Sequence, residues 1–179
     1  MNLSRYPLFL VLMFQTGMAM FVPAAHALAL QSFAEARSFF YAGLLLILFT
    51  AFVGIAVRKE AQEGISQRDQ LLILLGAFVI LPIFMAVPFQ EASNGMSYFK
   101  AYFEMVSSFT TTGATLFTNV YDYSPTMHLW RAEVAWFGGY IMLVAAVAIL
   151  APMHLGGYEV IGAATDTYAT DRLAGSAVR

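Results

Sequence analysis

The run Thr110-Thr111-Thr112-Gly113-Ala114-Thr115 lies between two hydrophobic stretches and gathers residue types that can present backbone oxygen to a cation. Closely spaced carbonyls aimed at one axis replace an ion's hydration shell. Gly113 can take a positive φ and turn its carbonyl where a residue with a Cβ does not easily follow, and threonine hydroxyls add donors and acceptors. Small polar residues and glycine also make ordinary extracellular turns. Placement favours a filter over a turn, because the run follows a short amphipathic segment and precedes a long apolar one. Irregular backbone at membrane depth has to be buried in protein or line a watery path.

The elements that must hold such a loop are legible on either side. From Tyr98 to Phe109 the residues Phe99, Tyr102, Phe103, Val106 and Phe109 recur at mostly three- and four-residue steps, which predicts a helix with one apolar face, too short to span a bilayer. As a half-membrane pore helix its C-terminus points toward the membrane centre, where the partial negative charge of a helix end favours a cation. Arg131 and Glu133 stand at the outer end of the next apolar stretch, with Glu104 in the pore helix and Asp122 after the loop. Acidic groups at an entrance concentrate cations. An Arg131–Glu104 ion pair would tie the pore helix to the following span; equally, both are read as solvated surface charges. Trp136-Phe137-Gly138-Gly139-Tyr140 opens that span, and Ala135 with Gly139 forms a small-xxx-small pair suited to helix packing. Trp130, Trp136 and Tyr140 fit interfacial anchors.

The whole chain has the composition of a membrane protein. Of its 179 residues 60% are hydrophobic and only 11% charged, too few charges to cover a globule of this size. Apolar stretches run from Tyr6 to Leu30, Phe39 to Val57, Leu71 to Phe89 and Val134 to Met153, each about the 20 residues a span needs and free of Asp, Glu, Lys and Arg. The expected fold is therefore an all-α integral membrane protein with four transmembrane helices, one short pore helix and a re-entrant filter loop. Residues 1–57 hold two preliminary helices, 58–70 a cytoplasmic loop, 71–154 the helix, pore loop, helix repeat, and 155–179 a cytoplasmic tail. Arg5, Arg58, Lys59, Arg68, Arg172 and Arg179 then share the inner side, against Arg37, Lys100 and Arg131 outside, as the positive-inside rule requires. Arg5, the apolar run and Ala25-His26-Ala27 imitate a secretory signal, but the run exceeds the usual signal core of about 7 to 15 residues, so a retained helix is expected.

Several function classes fall away. No basic patch can neutralise a run of phosphates, which argues against a nucleic-acid partner. The absence of cysteine removes thiol chemistry, and His26, His128 and His154 have no metal-ligand spacing. No apolar stretch carries the paired ionisable residues an intramembrane enzyme would need. The ten methionines suit apolar gap-filling.

The stretch Tyr102-Phe103-Glu104-Met105-Val106-Ser107-Ser108-Phe109-Thr110-Thr111-Thr112-Gly113-Ala114-Thr115, then Leu129-Trp130-Arg131, Trp136-Phe137-Gly138-Gly139 and Val144-Ala145-Ala146-Val147-Ala148-Ile149-Leu150, resembles in order and spacing the first pore repeat of the Trk-type potassium uptake family. The loop beginning Arg58-Lys59-Glu60 also resembles that family's connection into the repeat. The resemblance implies K⁺ as the transported ion, no further cofactor, and a filter with one glycine per repeat, here Gly113, with K⁺ at Thr111, Thr112, Gly113 and Ala114. It implies a multi-pass protein of the cell (inner) membrane. Family members carry four repeats around a pseudo-fourfold pore, so the partners implied are further repeats or other copies in a homo-oligomer, the lipid bilayer, and a cytoplasmic nucleotide-sensing regulatory subunit. The alternative expectation is a non-conducting truncated or accessory subunit.

Overall fold

A computed structural model describes residues 8–57, 67–93, 95–119 and 123–150. They form six helices and no strand: α1 (Leu8–Ala19), α2 (Phe21–Ala29), α3 (Phe33–Val57), α4 (Gln67–Ala92), α5 (Tyr98–Phe109) and α6 (Pro125–Leu150). The chain divides into two compact units, Met1–Ile141 and Met142–Arg179. The second is described only over residues 142–150, the C-terminal part of α6.

Three segments are long and apolar enough to cross a membrane, Leu8–Ala29, Phe33–Ala56 and Leu72–Ala92. The first joins α1 and α2 across a loosened turn at Met20, where Ala24 N–H still reaches the Met20 carbonyl at 3.3 Å. Pro23 explains the interruption, since it has no N–H for the Ala19 carbonyl and its ring crowds that oxygen. The fourth expected span, Val134 to Met153, extends past the described residues; as far as Leu150 it is helical.

Each helix except α5 begins or ends away from the apolar run that announced it. α3 starts at Phe33, six residues before Phe39, after α2 closes with Gln31 at φ 60°. Gln31 N–H meets the Leu28 carbonyl and Ser32 N–H the Ala27 carbonyl, the paired bonds of a Schellman end that reverses the chain within three residues. Gln67–Gln70, assigned by polarity to the cytoplasmic loop, form the first turn of α4. α6 starts at Pro125, nine residues before Val134, because Ser124 caps it: its Oγ accepts Met127 N–H at 3.2 Å and Pro125 occupies the position where a missing N–H costs nothing. Hydrophobicity marks what lipid can cover, whereas a helix continues as far as its backbone bonds are satisfied.

α4 carries Pro82 and Pro88 inside its length. Each proline strips a donor from the carbonyl four residues earlier, and in a membrane such oxygens need other partners. α5 meets this stretch of α4 with tyrosines one helical turn apart. Tyr102 Oη donates to the Val79 carbonyl at 3.0 Å and Tyr98 Oη to the Ile83 carbonyl at 2.8 Å, each one residue from a proline-freed oxygen. From α6, the buried Trp130 indole N–H reaches the Met85 carbonyl at 3.2 Å.

The core sits where α1, α3, α4, α5 and α6 meet, around Phe39, Leu81, Met85, Phe89, Met105 and Trp130, with Phe39 and Trp130 edge to face at 5.7 Å. Five of the ten methionines lie in it, which fits their expected gap-filling use. α1 and α3 cross at Gly17 and Gly43, where a Cβ on either would press into the other's carbonyl oxygen. The outside is as apolar as the inside. Phe52 is 71% exposed, Ile55 72% and Leu75 65%, a surface that water does not stabilise and that suits lipid or further protein.

Replacing Tyr98 and Tyr102 together by Phe removes only the two hydroxyls. With a net contribution of about 1 kcal/mol for each bond, the double variant should melt at a lower temperature in detergent while keeping its helical circular dichroism. An unchanged melting temperature would mean that these bonds do not support the proline-containing helix.

Candidate filter loop and its carboxylate anchor

α5 takes the boundaries its periodicity predicts, Tyr98–Phe109. The buried positions are Ala101, Glu104, Met105, Ser107, Ser108 and Phe109, whereas Phe99 is 83% exposed and Phe103 42%. Of the expected apolar face, Phe99 and Phe103 thus look outward, Tyr102 and Val106 are half-buried and Phe109 is buried, while Ala101, Glu104, Ser107 and Ser108 face inward. The reason is Glu104: a carboxylate in this setting needs donors on every side, and only the protein interior offers them.

Glu104 is fully buried and joins three parts of the chain. Its Oε1 accepts Leu116 N–H at 2.6 Å and Thr115 Oγ1–H at 2.9 Å, both from the segment that leaves the loop. Its Oε2 stands 3.2 Å from Nη2 of Arg131 on α6. That contact is an ion pair, out of line for a hydrogen bond, since Oε2 has no hydrogen-bond partner among the described residues. The Arg131 guanidinium also lies over the Tyr123 ring at 5.1 Å, and the Tyr123 hydroxyl lies 3.1 Å from Thr115 Oγ1. Burial pushes the Tyr123 phenol above its usual pKa, so it keeps its proton.

The loop begins with a Schellman end. Thr111 N–H reaches the Ser108 carbonyl at 2.9 Å and Thr112 N–H the Ser107 carbonyl at 3.0 Å. Thr111 occupies the left-handed position with φ 58°, and Gly113 follows with φ 73°. A β-branched residue there is strained, by roughly 1–2 kcal/mol. Thr110 Oγ1 donates back to the Val106 carbonyl at 2.8 Å and lies 2.9 Å from Thr112 Oγ1. On the return, Ser107 Oγ donates to the Ala114 carbonyl at 2.6 Å. Residues 114–116 therefore run back along α5, pinned first at Ser107 and then at Glu104.

Two features bear directly on what the loop can bind. Thr111, Thr112, Gly113, Ala114 and Thr115 are all exposed. The carbonyls of Thr111, Thr112 and Gly113 receive no hydrogen bond from any described residue, whereas the Ala114 carbonyl is already held by Ser107. Behind the loop, Gly138 of α6 packs against Phe109, and a Cβ built on it would overlap the Phe109 carbonyl oxygen. Gly139 makes only ordinary contact, with Thr111 Cγ2 at 3.6 Å from its built Cβ. The close approach thus falls on Gly138 and not on the Ala135/Gly139 pair singled out in the sequence. Glu133 retains a buried carboxylate oxygen without a partner among the described residues, and Asp122 lies outside them. Trp136 and Tyr140 stack on the outer face of α6, both exposed.

Sequence reading did not single out Ser107 or Tyr123. Ser107 sits three residues after Glu104 in the helix, a spacing that shares a face, and this was the one signal available. The cap at Ser124, held in turn by Glu35 at 2.9 Å, and the His26–Thr126 contact at 3.1 Å join α3 and α2 to the start of α6. Nothing local announces them.

Helices, apolar exterior and a polar loop folded back along a half-length helix define a helical membrane protein. A family model described as "TrkH: Cation transport protein" matches residues 27–167, and the chain belongs to that family. It is 31% identical over 144 residues to the Trk system potassium uptake protein TrkH of Vibrio parahaemolyticus, covering 77% of this chain and 30% of that one. It is 33% identical to the TrkH of Escherichia coli K12, covering 62% of this chain and 24% of the relative, and 28% identical to TrkG of the same strain, covering 79% and 31%. The chain therefore spans less than a third of the length of these relatives. No solved structure matches it.

The anchor gives two expectations. Arg131→Met leaves the Glu104 carboxylate buried without its countercharge and should cost about 3–5 kcal/mol, whereas adding Glu104→Gln, which keeps an acceptor for Leu116 and Thr115, should recover much of that loss. Melting of the single and double variants in detergent gives the coupling, and additive losses would show the pair to be independent. Thr111→Gly should raise the melting temperature slightly, by relief of about 1 kcal/mol, and a fall would mean that the threonine side chain contributes more than its backbone strain costs.

Proposed function

We propose that this chain supplies one repeat of a fourfold K⁺ pathway, and that the loop Thr110–Thr115 is its share of the selectivity filter. The observation that carries the reading is the unclaimed row of carbonyls at Thr111, Thr112 and Gly113, exposed at the end of a helix whose buried face is anchored through Glu104 and Arg131. Ala114 joins as a fourth oxygen through the lone pair that Ser107 leaves free. A carbonyl already bonded inside the protein has less to offer an ion. Three unbonded ones in sequence have no other stabilising role in a membrane, where each unsatisfied group costs several kcal/mol.

One loop cannot surround an ion, so conduction needs three more: further repeats, or other copies in a homo-oligomer. In this reading α6 is the fourth span, both termini and residues 58–66 face the cytoplasm, the protein crosses the inner membrane several times, and Gly138 lets the pore helix sit against α6. K⁺ is the cargo, with no cofactor, and a nucleotide-sensing subunit is the expected cytoplasmic regulator. The names of the relatives, potassium uptake proteins, support the choice of ion.

Gly113→Asp tests it, because the change puts a Cβ and a charge at a position of positive φ in the filter. In a host lacking potassium uptake, the wild-type chain should restore uptake as an assembly of four loops, and the variant should insert normally but transport nothing. Full uptake by the variant, or conduction by a proven monomer, would refute the filter. An inserted monomer without uptake would identify the chain as a non-conducting accessory subunit.

A further inference from the structure

We propose that the groove between α2 and the beginning of α3 binds an anionic phospholipid, with an acyl chain in the groove and the phosphate on Arg37. The groove has a volume of about 480 Å³ and is walled by Phe21, Ala25, Leu28, Phe33, Phe40 and Tyr41. Its walls are unpartnered: Leu28 is 57% exposed, Phe33 60% and Tyr41 56%. Arg37 is the only charged residue that lines it.

Among the described residues the charge of Arg37 has no carboxylate partner. Its Nε donates to the Phe33 carbonyl at 3.3 Å, which leaves the rest of the guanidinium fork free, and the ion pair found among the described residues is Glu104–Arg131. Glu35, two residues away, is turned to Ser124 at the cap of α6. A guanidinium fork matches a phosphate through two parallel bonds.

The depth of Arg37 completes the match. α3 has 25 residues, about 37 Å of helix against a hydrocarbon layer of about 30 Å, so its first turns project into the headgroup region. Between Arg37 and Arg58 lie only uncharged residues, Ser38 to Val57, which is about the thickness of that layer. Arg37 therefore stands at the boundary where lipid phosphates lie, directly beside an apolar groove that enters the acyl region. A protein partner covering this face would have to bring an acid to the same point; a phospholipid carries its anion and its apolar chain in one molecule.

The test uses the purified chain, delipidated in detergent and incubated with phosphatidylglycerol or phosphatidylcholine of the same acyl chains, with bound copies counted by native mass spectrometry. The wild type should retain phosphatidylglycerol about five-fold better, the effect of one surface arginine. Arg37→Gln should bring the two lipids to parity and Arg37→Lys should restore part of the preference. Ala25→Trp, at an exposed groove position, should reduce binding of both. Equal binding of the two lipids by the wild type, an undiminished preference in Arg37→Gln, or release of the lipid by inorganic phosphate alone would overturn the proposal. So would a wild-type dimer that Ala25→Trp converts to monomer, since a second copy would then be the occupant.

Discussion

The fold around the loop depends on a single buried carboxylate. Glu104 has no solvent exposure, and its desolvation is offset only because two donors from the loop's return and one guanidinium from α6 meet it. Those three partners belong to segments that a helix hairpin alone would not bring together. With the carboxylate in place, residues 115 and 116 cannot drift from α5, α6 must lie on the same side, and Tyr123 closes over Arg131 from the connection between them. The geometry of the Thr/Gly loop is set from behind, by a charge that the loop itself does not contain.

The same demand explains which polar residues α5 turns inward. In water a short amphipathic helix buries its phenylalanines; here Phe99 and Phe103 lie outward while serines and a glutamate are covered. Outside the protein the medium or a neighbour is apolar, so polar groups gain most by turning inward toward each other. The two tyrosines of α5 likewise turn their hydroxyls to backbone carbonyls of α4, near Pro82 and Pro88. A helix with two internal prolines and a helix too short to span lie side by side, and the phenol hydroxyls of one reach carbonyls adjacent to those that the prolines leave without a donor on the other.

Where α5 ends, the backbone is strained and its oxygens are unclaimed. Thr111 holds a left-handed conformation that glycine would take at less cost, two residues before Gly113, which also has a positive φ. Gly138 brings α6 against the last carbonyl of the helix and so supports the turn from below. The Arg37 groove, at another face, shows the complementary situation: an apolar surface beside a cation that has no carboxylate partner among the described residues.

The amino-acid sequence by itself determined the class of the protein, the limits of α5 and the place of the Thr/Gly loop, because charge deficit, helical period and a Thr/Gly run are local properties that survive any arrangement. It also brought Glu104 and Arg131 under suspicion as a pair, since opposite charges flanking a polar loop in an apolar chain have few other partners. It misplaced the starts of α3, α4 and α6, where polar residues such as Glu35, Asp69 and Arg131 continue a helix beyond what hydrophobicity marks. Only the tertiary structure decided which face of α5 is buried, that Ser107 holds Ala114, and that the close glycine is Gly138 and not Gly139. Neighbouring positions on a helix differ by about 100° in direction, and the choice between them rests on what stands opposite, which no periodicity encodes.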